Sequence, residues 1–298
     1  MSPSTRKRTA HGRSTKPRRA PAGVPAGPVR GRRLRSLFVL LAAAALAIGA
    51  WTLLSSGPAE TTAAQSPAVV QSLAVRIHRE LPHDTSAYTQ GLLWWDGKLY
   101  ESTGQYGRSD LRRLDPETGA VEQEIDISPA YFGEGLARVD DRLIMLTWKA
   151  QRAFVFGLER FDEQRTFRYE GEGWGLCNDG SRLVMSNGSN RLTFRDLRTF
   201  EVLGDVPVTL RGFPLTQLNE LECVGAAVYA NVYQTDFLVR IDPESGRVTH
   251  YIDASGLLTR EEARGVDVLN GIAFDPGAET FYITGKLWPK MFEVTFEE

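Results

Sequence analysis

The sequence predicts an all-β fold, a five-bladed β-propeller closed by an N-terminal strand, over residues 73–298. Three observations predict it. The composition changes abruptly before this region, a motif recurs five times within it, and a strand-like run at its start complements a run that is missing at its end.

The first 54 residues differ from the rest of the chain. Residues 1–36 carry eleven Lys or Arg and no acidic residue, and residues 37–54 (LFVLLAAAALAIGAWTLL) carry no charge. A basic flank before such a run is typical of a secretory signal or a signal-anchor helix. We therefore expect a cytoplasmic basic tail, a membrane-inserted segment, and an extracytoplasmic remainder, periplasmic or at the cell surface. Whether the segment is cleaved stays open.

Residues 55–72 are small, polar and proline-containing, which is typical of a flexible linker. Beyond the basic tail the chain holds 24 basic and 37 acidic residues, a net charge near −13. An acidic domain repels phosphate, so no nucleic-acid partner is expected.

Five copies of one motif follow the linker. Each copy has a Gly-Leu pair or its like, a turn that contains Asp in all copies but the fourth (Val224-Gly225), and two β-rich runs. The first and fourth copies then have an Asp-Pro turn. The copies begin about 40–50 residues apart, the length of a four-stranded propeller blade. Short runs bounded by Asp-Gly and Asp-Pro-x-x-Gly turns favour hairpins. The motifs are anchored at Gly91, Gly135, Gly175, Glu220 and Gly271.

The ends of the repeat region predict how the ring closes. Each of the first four copies ends in a further strand-like run, but the fifth reaches Glu298 without one. The run Leu73–Leu81 (LAVRIHREL) precedes the first copy and supplies the missing strand. Closure by this strand leaves no open sheet edge.

Cysteine and histidine are scarce. A disulfide between Cys177 and Cys223 is allowed outside the cytoplasm, but two buried free thiols are the simpler interpretation and the pairing stays open. The four histidines, at positions 11, 78, 83 and 250, form no cluster with metal spacing. We expect no metal or cofactor to be required for catalysis, although the channel leaves room for a structural cation.

The starts of the repeats carry unusual side chains for strands that line a propeller channel. Aromatic, amide, carboxyl and ammonium groups occur where a structural repeat would place small aliphatic residues, which predicts an apolar pocket with a few convergent polar groups. The candidates at the repeat starts are Tyr88, Gln90, Glu134, Trp174, Asn219, Glu220 and Asn270. Those in the second runs are Trp148, Tyr233, Lys286 and Trp288.

Simpler interpretations apply to several of them. A tryptophan in a β-protein is more often core than ligand, Glu220 fits a paired or solvated role, and Asn270 fits a turn. Glu134 is the sharpest candidate because glycines flank it and Phe132 precedes it. Glu172 is also flanked by glycines but lies two residues short of the equivalent position.

An ordered series of motifs makes a specific resemblance. YTQGL, FGEGL, EGWGL, LNELE, YANVYQTD, DVLNGIAFDP and TGKLWPKMFEV, between Leu73 and Val294, resemble the plant-type glutaminyl-peptide cyclotransferases, or glutaminyl cyclases, and their bacterial members. The resemblance implies a five-bladed propeller that converts N-terminal glutaminyl residues of peptides to pyroglutamate with release of ammonia. It also implies independence from the zinc of the unrelated animal enzymes.

The same resemblance implies roles for the candidates. Glu134 becomes the acid/base, and Gln90, Asn219 and Lys286 become substrate contacts. The pocket walls become Tyr88, Trp148, Trp174 and Tyr233. Tyr88 stands where the plant pattern usually has Phe, and Tyr233 where it usually has Trp.

The chemistry agrees with this set of residues. The substrate amine attacks its own γ-carboxamide, so no enzyme nucleophile is needed, and the sequence has no Gly-x-Ser-x-Gly motif. A base, an oxyanion donor and an acid suffice, and one carboxyl of raised pKa can serve as both base and acid. Which of Asn219, Gln90 and Lys286 holds the oxyanion stays open.

Two alternative functions remain. One is a non-catalytic exported propeller that binds peptides or glycans, since fold alone does not establish chemistry. The other is a glycan hydrolase or lyase, but a hydrolase normally needs two facing carboxylates and Glu134 has only Glu220 as a candidate partner. A deep aromatic pocket with one carboxyl favours the cyclotransferase.

Overall fold

The described part of the chain is built of β-strands. The computed structural model describes residues 69–298 and has 22 strands in that range, beginning with β1 (Gln71–Pro82). The all-β prediction is confirmed. The basic tail, the hydrophobic segment 37–54 and the linker up to residue 68 lie outside the described residues. Within residues 69–298 we find no helix long and apolar enough to cross a membrane.

Three four-stranded antiparallel sheets follow β1, each a meander in which successive strands pair. The first has β2 (Thr89–Trp95), β3 (Lys98–Thr103), β4 (Asp110–Leu114) and β5 (Val121–Asp126). The second has β6 (Gly133–Val139), β7 (Arg142–Thr147), β8 (Arg152–Gly157) and β9 (Glu163–Arg168). The third has β10 (Leu176–Asn178), β11 (Leu183–Met185), β12 (Arg191–Arg195) and β13 (Val202–Pro207).

The other strands form one larger sheet with two more meanders. A small hairpin, β14 (Thr209–Leu210) and β15 (Phe213–Pro214), precedes the fourth meander and pairs with its last strand. The fourth meander has β16 (Leu218–Val224), β17 (Ala227–Val232), β18 (Phe237–Asp242) and β19 (Arg247–Asp253). The fifth has β20 (Leu269–Asp275), β21 (Thr280–Gly285) and β22 (Lys290–Glu297).

Strand β1 joins the last two meanders. It pairs in parallel with β19 at Gln71–Ala74 and antiparallel with β22 at Ala74–Pro82. The run Leu73–Leu81, predicted as a strand, lies inside β1. The fifth meander thus has β1 as its fourth strand, and β1 comes from the other end of the described chain.

The first strands of the five meanders contact one another in cyclic order. Strand β2 contacts β6 and β20, β10 contacts β6 and β16, and β16 contacts β20. The apolar residue of each sequence motif is buried between these strands and is at most 1% exposed. These residues are Leu92, Leu136, Leu176, Leu221 and Ile272.

Close approach of the first strands explains the motif glycines. A Cβ atom at Gly91 would lie 2.5 Å from the Leu136 nitrogen, and one at Gly175 would lie 2.1 Å from the Asn219 carbonyl oxygen. Side chains do not fit at such distances. The fourth motif has Glu220 at this place, and its buried carboxylate accepts hydrogen bonds from the backbone N–H groups of Leu92 (3.2 Å) and Ile272 (2.8 Å).

Cys177 in β10 and Cys223 in β16 form a disulfide, so the simpler interpretation of two free thiols is wrong. The two residues are 46 positions apart, but β10 and β16 are neighbouring first strands. Their Cα atoms are 5.5 Å apart, within the range that a disulfide spans. The bond links the third meander covalently to the fourth.

Candidate active site

All eight residues predicted for the site line one cavity of about 210 Å³ at one end of the first strands. The cavity is lined by Tyr88, Gln90, Phe132, Glu134, Trp148, Trp174, Asn219, Tyr233 and Lys286. Only Phe132 was not among the predicted site residues, although its aromatic ring was noted beside Glu134. Residues far apart in sequence meet here because each repeat contributes the same end of its first hairpin.

Three polar groups of the site come from bulges in the first strands. The register of β2 shifts at Gln90, that of β6 between Gly133 and Leu136, and that of β16 between Leu218 and Leu221. A bulge adds a residue to one strand of a pair and re-aims its side chain. Glu134 and Asn219 lie in the last two bulges. The bulges therefore place the three polar side chains at the cavity.

Three further lining residues lie one position beyond the ends of second strands. Trp148, Tyr233 and Lys286 directly follow the second strands β7, β17 and β21. Their backbone N–H groups continue the hairpin hydrogen bonds for one more pair, and Trp148 donates to Phe132 over 3.0 Å while Lys286 donates to Val268 over 2.9 Å. These side chains are held by sheet backbone instead of by free loops.

The aromatic side chains of the cavity form two groups of packed rings. Phe132 packs edge to face on Tyr88 (6.1 Å between ring centres) and on Trp148 (5.4 Å). Trp174 packs in the same way on Tyr233 (5.5 Å). The Lys286 ammonium lies over the rings of Tyr88 (4.9 Å) and Tyr233 (5.2 Å), so it joins the two groups by cation–π contacts.

Glu134 is 4% exposed and borders the cavity. Burial raises the pKa of Glu134 well above its usual range, the Lys286 ammonium opposes that rise, and the Glu172 carboxylate adds to it. A carboxyl whose pKa is raised toward the working pH can accept a proton and return it. Glu134 therefore has the electrostatics of a general acid/base.

The pKa values of Lys286 and Tyr88 are also shifted by their surroundings. Burial lowers the pKa of Lys286, which is 3% exposed, while Glu134 and Asp267 favour its charged form. Burial raises the pKa of Tyr88, and the hydroxyl donates a hydrogen bond to the Asp267 carboxylate over 2.7 Å. The Tyr88 hydroxyl, absent from the usual plant pattern, thus has a defined acceptor.

Other candidates lie elsewhere. The Glu220 carboxyl is fully buried among backbone N–H groups and does not line the cavity. Asn270 is also buried and donates to the Thr89 carbonyl over 3.0 Å. Trp288 packs in the fifth meander and donates to the Asp267 carbonyl. Glu220 is therefore not a second carboxyl that faces Glu134 across the cavity.

Sequence reasoning missed the connection of Glu172 to the site. Its Oε2 accepts hydrogen bonds from the indole N–H groups of both Trp148 (2.8 Å) and Trp174 (3.0 Å). The glycines on both sides of Glu172 were a signal, but they did not reveal the bond across to Trp148. Within the described residues no group of three or more His, Cys, Asp or Glu is arranged to hold a metal.

Comparison with known proteins gives consistent results. The family model for glutamine cyclotransferase matches residues 47–296. The chain is 38% identical over 229 residues to the glutaminyl-peptide cyclotransferase of Arabidopsis thaliana, covering 75% of this chain and 72% of that protein. The crystal structure of Myxococcus xanthus glutaminyl cyclase superposes with a TM-score of 0.70 at 40% identity, covering 77% of this chain and 99% of that one. The chain belongs to the glutamine cyclotransferase family.

Proposed function

We propose that the protein is a glutaminyl-peptide cyclotransferase that converts N-terminal glutaminyl residues of peptides and proteins to pyroglutamate and releases ammonia. One observation carries the proposal beyond family membership. A single buried carboxyl of raised pKa, Glu134, borders a cavity walled by aromatic rings and reached by an ammonium group. That set supplies the acid/base, the hydrogen-bond donors and the apolar wall that an intramolecular acyl transfer needs.

In the proposed reaction the neutral α-amine attacks the side-chain carboxamide carbon of the same residue. A new C–N bond forms, and the carbonyl electron pair moves onto oxygen. Glu134 takes the proton that the attacking nitrogen loses and delivers it to the departing amide nitrogen. The original C–N bond then breaks, ammonia leaves, and the ring carbonyl reforms. The carboxylate is thus regenerated without a covalent enzyme intermediate.

The developing oxyanion needs a positioned donor. Lys286, Asn219 and Gln90 all reach the cavity and all carry N–H groups. In a site with little water such donors stabilise charge more strongly than they would in bulk solvent. The aromatic wall excludes the water that would otherwise compete for these hydrogen bonds.

The strand order supports a five-bladed propeller as the scaffold. Five meanders have their first strands in cyclic contact, and β1 completes the fifth by pairing with β22. In such a ring no blade is left with an open edge. The ligand face is then the end of the first strands at which the cavity lies.

The cellular location of the domain is also a proposal. The domain works outside the cytoplasm, exported or anchored by residues 37–54, and residues 55–72 connect it to that segment. The Cys177–Cys223 disulfide supports this location because disulfides persist in oxidising compartments. We further propose that catalysis needs no metal, since the acid/base, the donors and the wall are all protein groups.

The decisive experiment incubates the protein with the dipeptide Gln-Ala and measures ammonia and pyroglutamyl-Ala, with and without phenanthroline. We expect equal amounts of both products and no effect of the chelator. The matched control is N-acetyl-Gln-Ala, which lacks a free amine and should yield no ammonia. Absence of ammonia from Gln-Ala would support the non-catalytic binding propeller instead, and loss of activity on chelation with recovery on added zinc would overturn the metal-independent mechanism.

A further inference from the structure

Glu172 does not itself line the cavity, but it is hydrogen-bonded to two of the aromatic side chains that do. Tyr88, Phe132 and Trp148 form one run of packed rings, and Trp174 and Tyr233 form another. Lys286 bridges one junction between the two runs. The other junction, between the two indoles, is bridged by the Glu172 carboxylate.

The bridge uses one oxygen for two donors. Oε2 accepts from Trp148 Nε1 at 2.8 Å and from Trp174 Nε1 at 3.0 Å, so the two indole nitrogens are fixed relative to a common point. Hydrogen bonds to an ionised acceptor are roughly twice as strong as neutral ones. The second oxygen, Oε1, lies 3.7 Å from the Lys149 ammonium, which in turn lies 3.7 Å from the centre of the Trp148 ring.

The two indoles come from different repeats. Trp148 follows β7 of the second meander, while Trp174 precedes β10 of the third. The Gly173 N–H donates to the Trp148 carbonyl over 3.0 Å, so the backbones next to the two rings are already joined. The indole side chains are joined through the Glu172 carboxylate, and without it each ring would depend on its own packing neighbours for orientation. The orientation of the two rings within this fixed backbone frame therefore depends on Glu172.

We propose that Glu172 is a positioning residue that holds Trp148 and Trp174 in the orientation needed to grip the unbranched side chain of an N-terminal glutamine. This inference rests on the proposed function and deepens it. Glu172 does not take part in proton transfer, because it does not line the cavity and its Oε2 is engaged by both indoles. It acts on the substrate through the two rings.

A glutamine in place of Glu172 separates the geometric role from the charge. The Gln carbonyl oxygen can still accept from both indoles, but the negative charge is gone. An alanine removes both. Glu170 is the matched control, because it is an exposed acid two residues earlier in the chain.

The experiment compares Glu172→Ala, Glu172→Gln and Glu170→Ala with the wild type by KM and kcat for Gln-Ala and by acrylamide quenching of tryptophan fluorescence. We expect Glu172→Ala to raise KM about tenfold or more and to increase quenching, because two charge-assisted hydrogen bonds are lost. Glu172→Gln should restore both to within about threefold of wild type, and Glu170→Ala should change neither.

The pH profile gives a second readout. Besides Glu172, the groups facing Glu134 are Lys286, Tyr88 and Tyr169. Because the Glu172 charge raises the pKa of Glu134, its removal should move the acid limb of kcat/KM to lower pH in both Glu172 variants and not in Glu170→Ala. The substrate amine titrates identically in every case, so a difference between variants reports the enzyme.

The outcomes are distinguishable. Wild-type KM and quenching in Glu172→Ala would overturn the positioning role, as would failure of Glu172→Gln to restore KM in a protein that melts at the wild-type temperature. If the wild type released no ammonia at all, the proposed function would fail. The quenching comparison needs no substrate and would still decide whether Glu172 holds the indoles.

Discussion

At the scale of single residues, the surroundings of Glu134 determine its raised pKa. It is almost fully buried yet borders open space, so its charged form is disfavoured while a substrate can still reach it. Lys286 and Glu172 act on it in opposite directions, so the pKa of Glu134 is a balance between attraction and repulsion on top of burial. Raised carboxyl pKa values of this origin are common in acid/base catalysts.

Replacing Glu134 by Gln should abolish most turnover and leave the fold intact. General acid–base catalysis typically contributes about a hundredfold to ten-thousandfold, so we expect kcat for Gln-Ala to fall by roughly two orders of magnitude or more. The change is isosteric and removes a group that resists ionisation, so a thermal melt should be unchanged or slightly higher. A variant that retained more than about a tenth of wild-type turnover would show that Glu134 is not the acid/base.

The sequence could predict which residues meet at the site but not how each is held. Gln90, Glu134, Asn219 and Lys286 stand out because polar groups at repeat starts conflict with a purely structural repeat. Glu220 satisfies the same criterion, yet its carboxyl accepts hydrogen bonds from backbone N–H groups of neighbouring strands. Whether a carboxyl faces a cavity or a row of N–H groups depends on the three-dimensional contacts of its strand, which spacing does not encode.

At the scale of elements, the positions of the strands were predicted more accurately than the contacts between strands of different repeats. Asp96 and Gly97 both have positive φ, as expected of the Asp-Gly hairpin turn between β2 and β3. The run that became β1 was predicted from the missing strand of the fifth repeat. The Cys177–Cys223 bond was not predicted, because it depends on β10 and β16 lying side by side, which the 46-residue separation conceals.

Strand β1 should be required for stability. Leu81 is 5% exposed and packs in a core cluster, and Arg79 pairs with Glu293 of β22. Deleting residues 1–82 exposes the edge of β22 and removes these contacts, so we expect unfolding or aggregation. Deleting residues 1–68 leaves β1 in place and should give a folded protein.

The comparison is made by circular dichroism melts and size exclusion of both deletions. Equal melting temperatures and equal elution volumes would show that β1 is dispensable. A melt of the longer deletion that is lower by many degrees, or its recovery only as aggregate, would agree with closure of the fifth meander by β1.

At the scale of the whole molecule, several buried or half-buried carboxyls make stability depend on pH. Burial raises the pKa of Glu222 to about 8, and it raises the pKa values of Glu134 and Glu220 well above their usual range. In the unfolded chain such groups titrate near 4.3. Between these pH values the folded state binds more protons than the unfolded state, so stability falls as pH rises.

We therefore expect the melting temperature to fall between about pH 5 and pH 8, and to fall less steeply in Glu222→Gln. That variant keeps an acceptor for the Phe274 N–H, which donates to Glu222 over 3.1 Å. Glu201→Gln, a change at an exposed acid, is the matched control and should keep the wild-type slope. A Glu222→Gln slope equal to that of wild type over this interval would show that Glu222 ionises normally in the folded protein.

The pairing of β1 with β22 also orders events in time. Arg76 and Glu297, which form a salt bridge between the two strands, are 221 residues apart in the chain. Of the described strands β1 is synthesised first and β22 last, so β1 lacks its antiparallel partner until the other described strands have been made. Contacts of such long range are slow to form because the intervening chain must be brought together first. The fifth meander is therefore completed late in the folding of each molecule. Until then the edge of β1 is open to pairing with other chains.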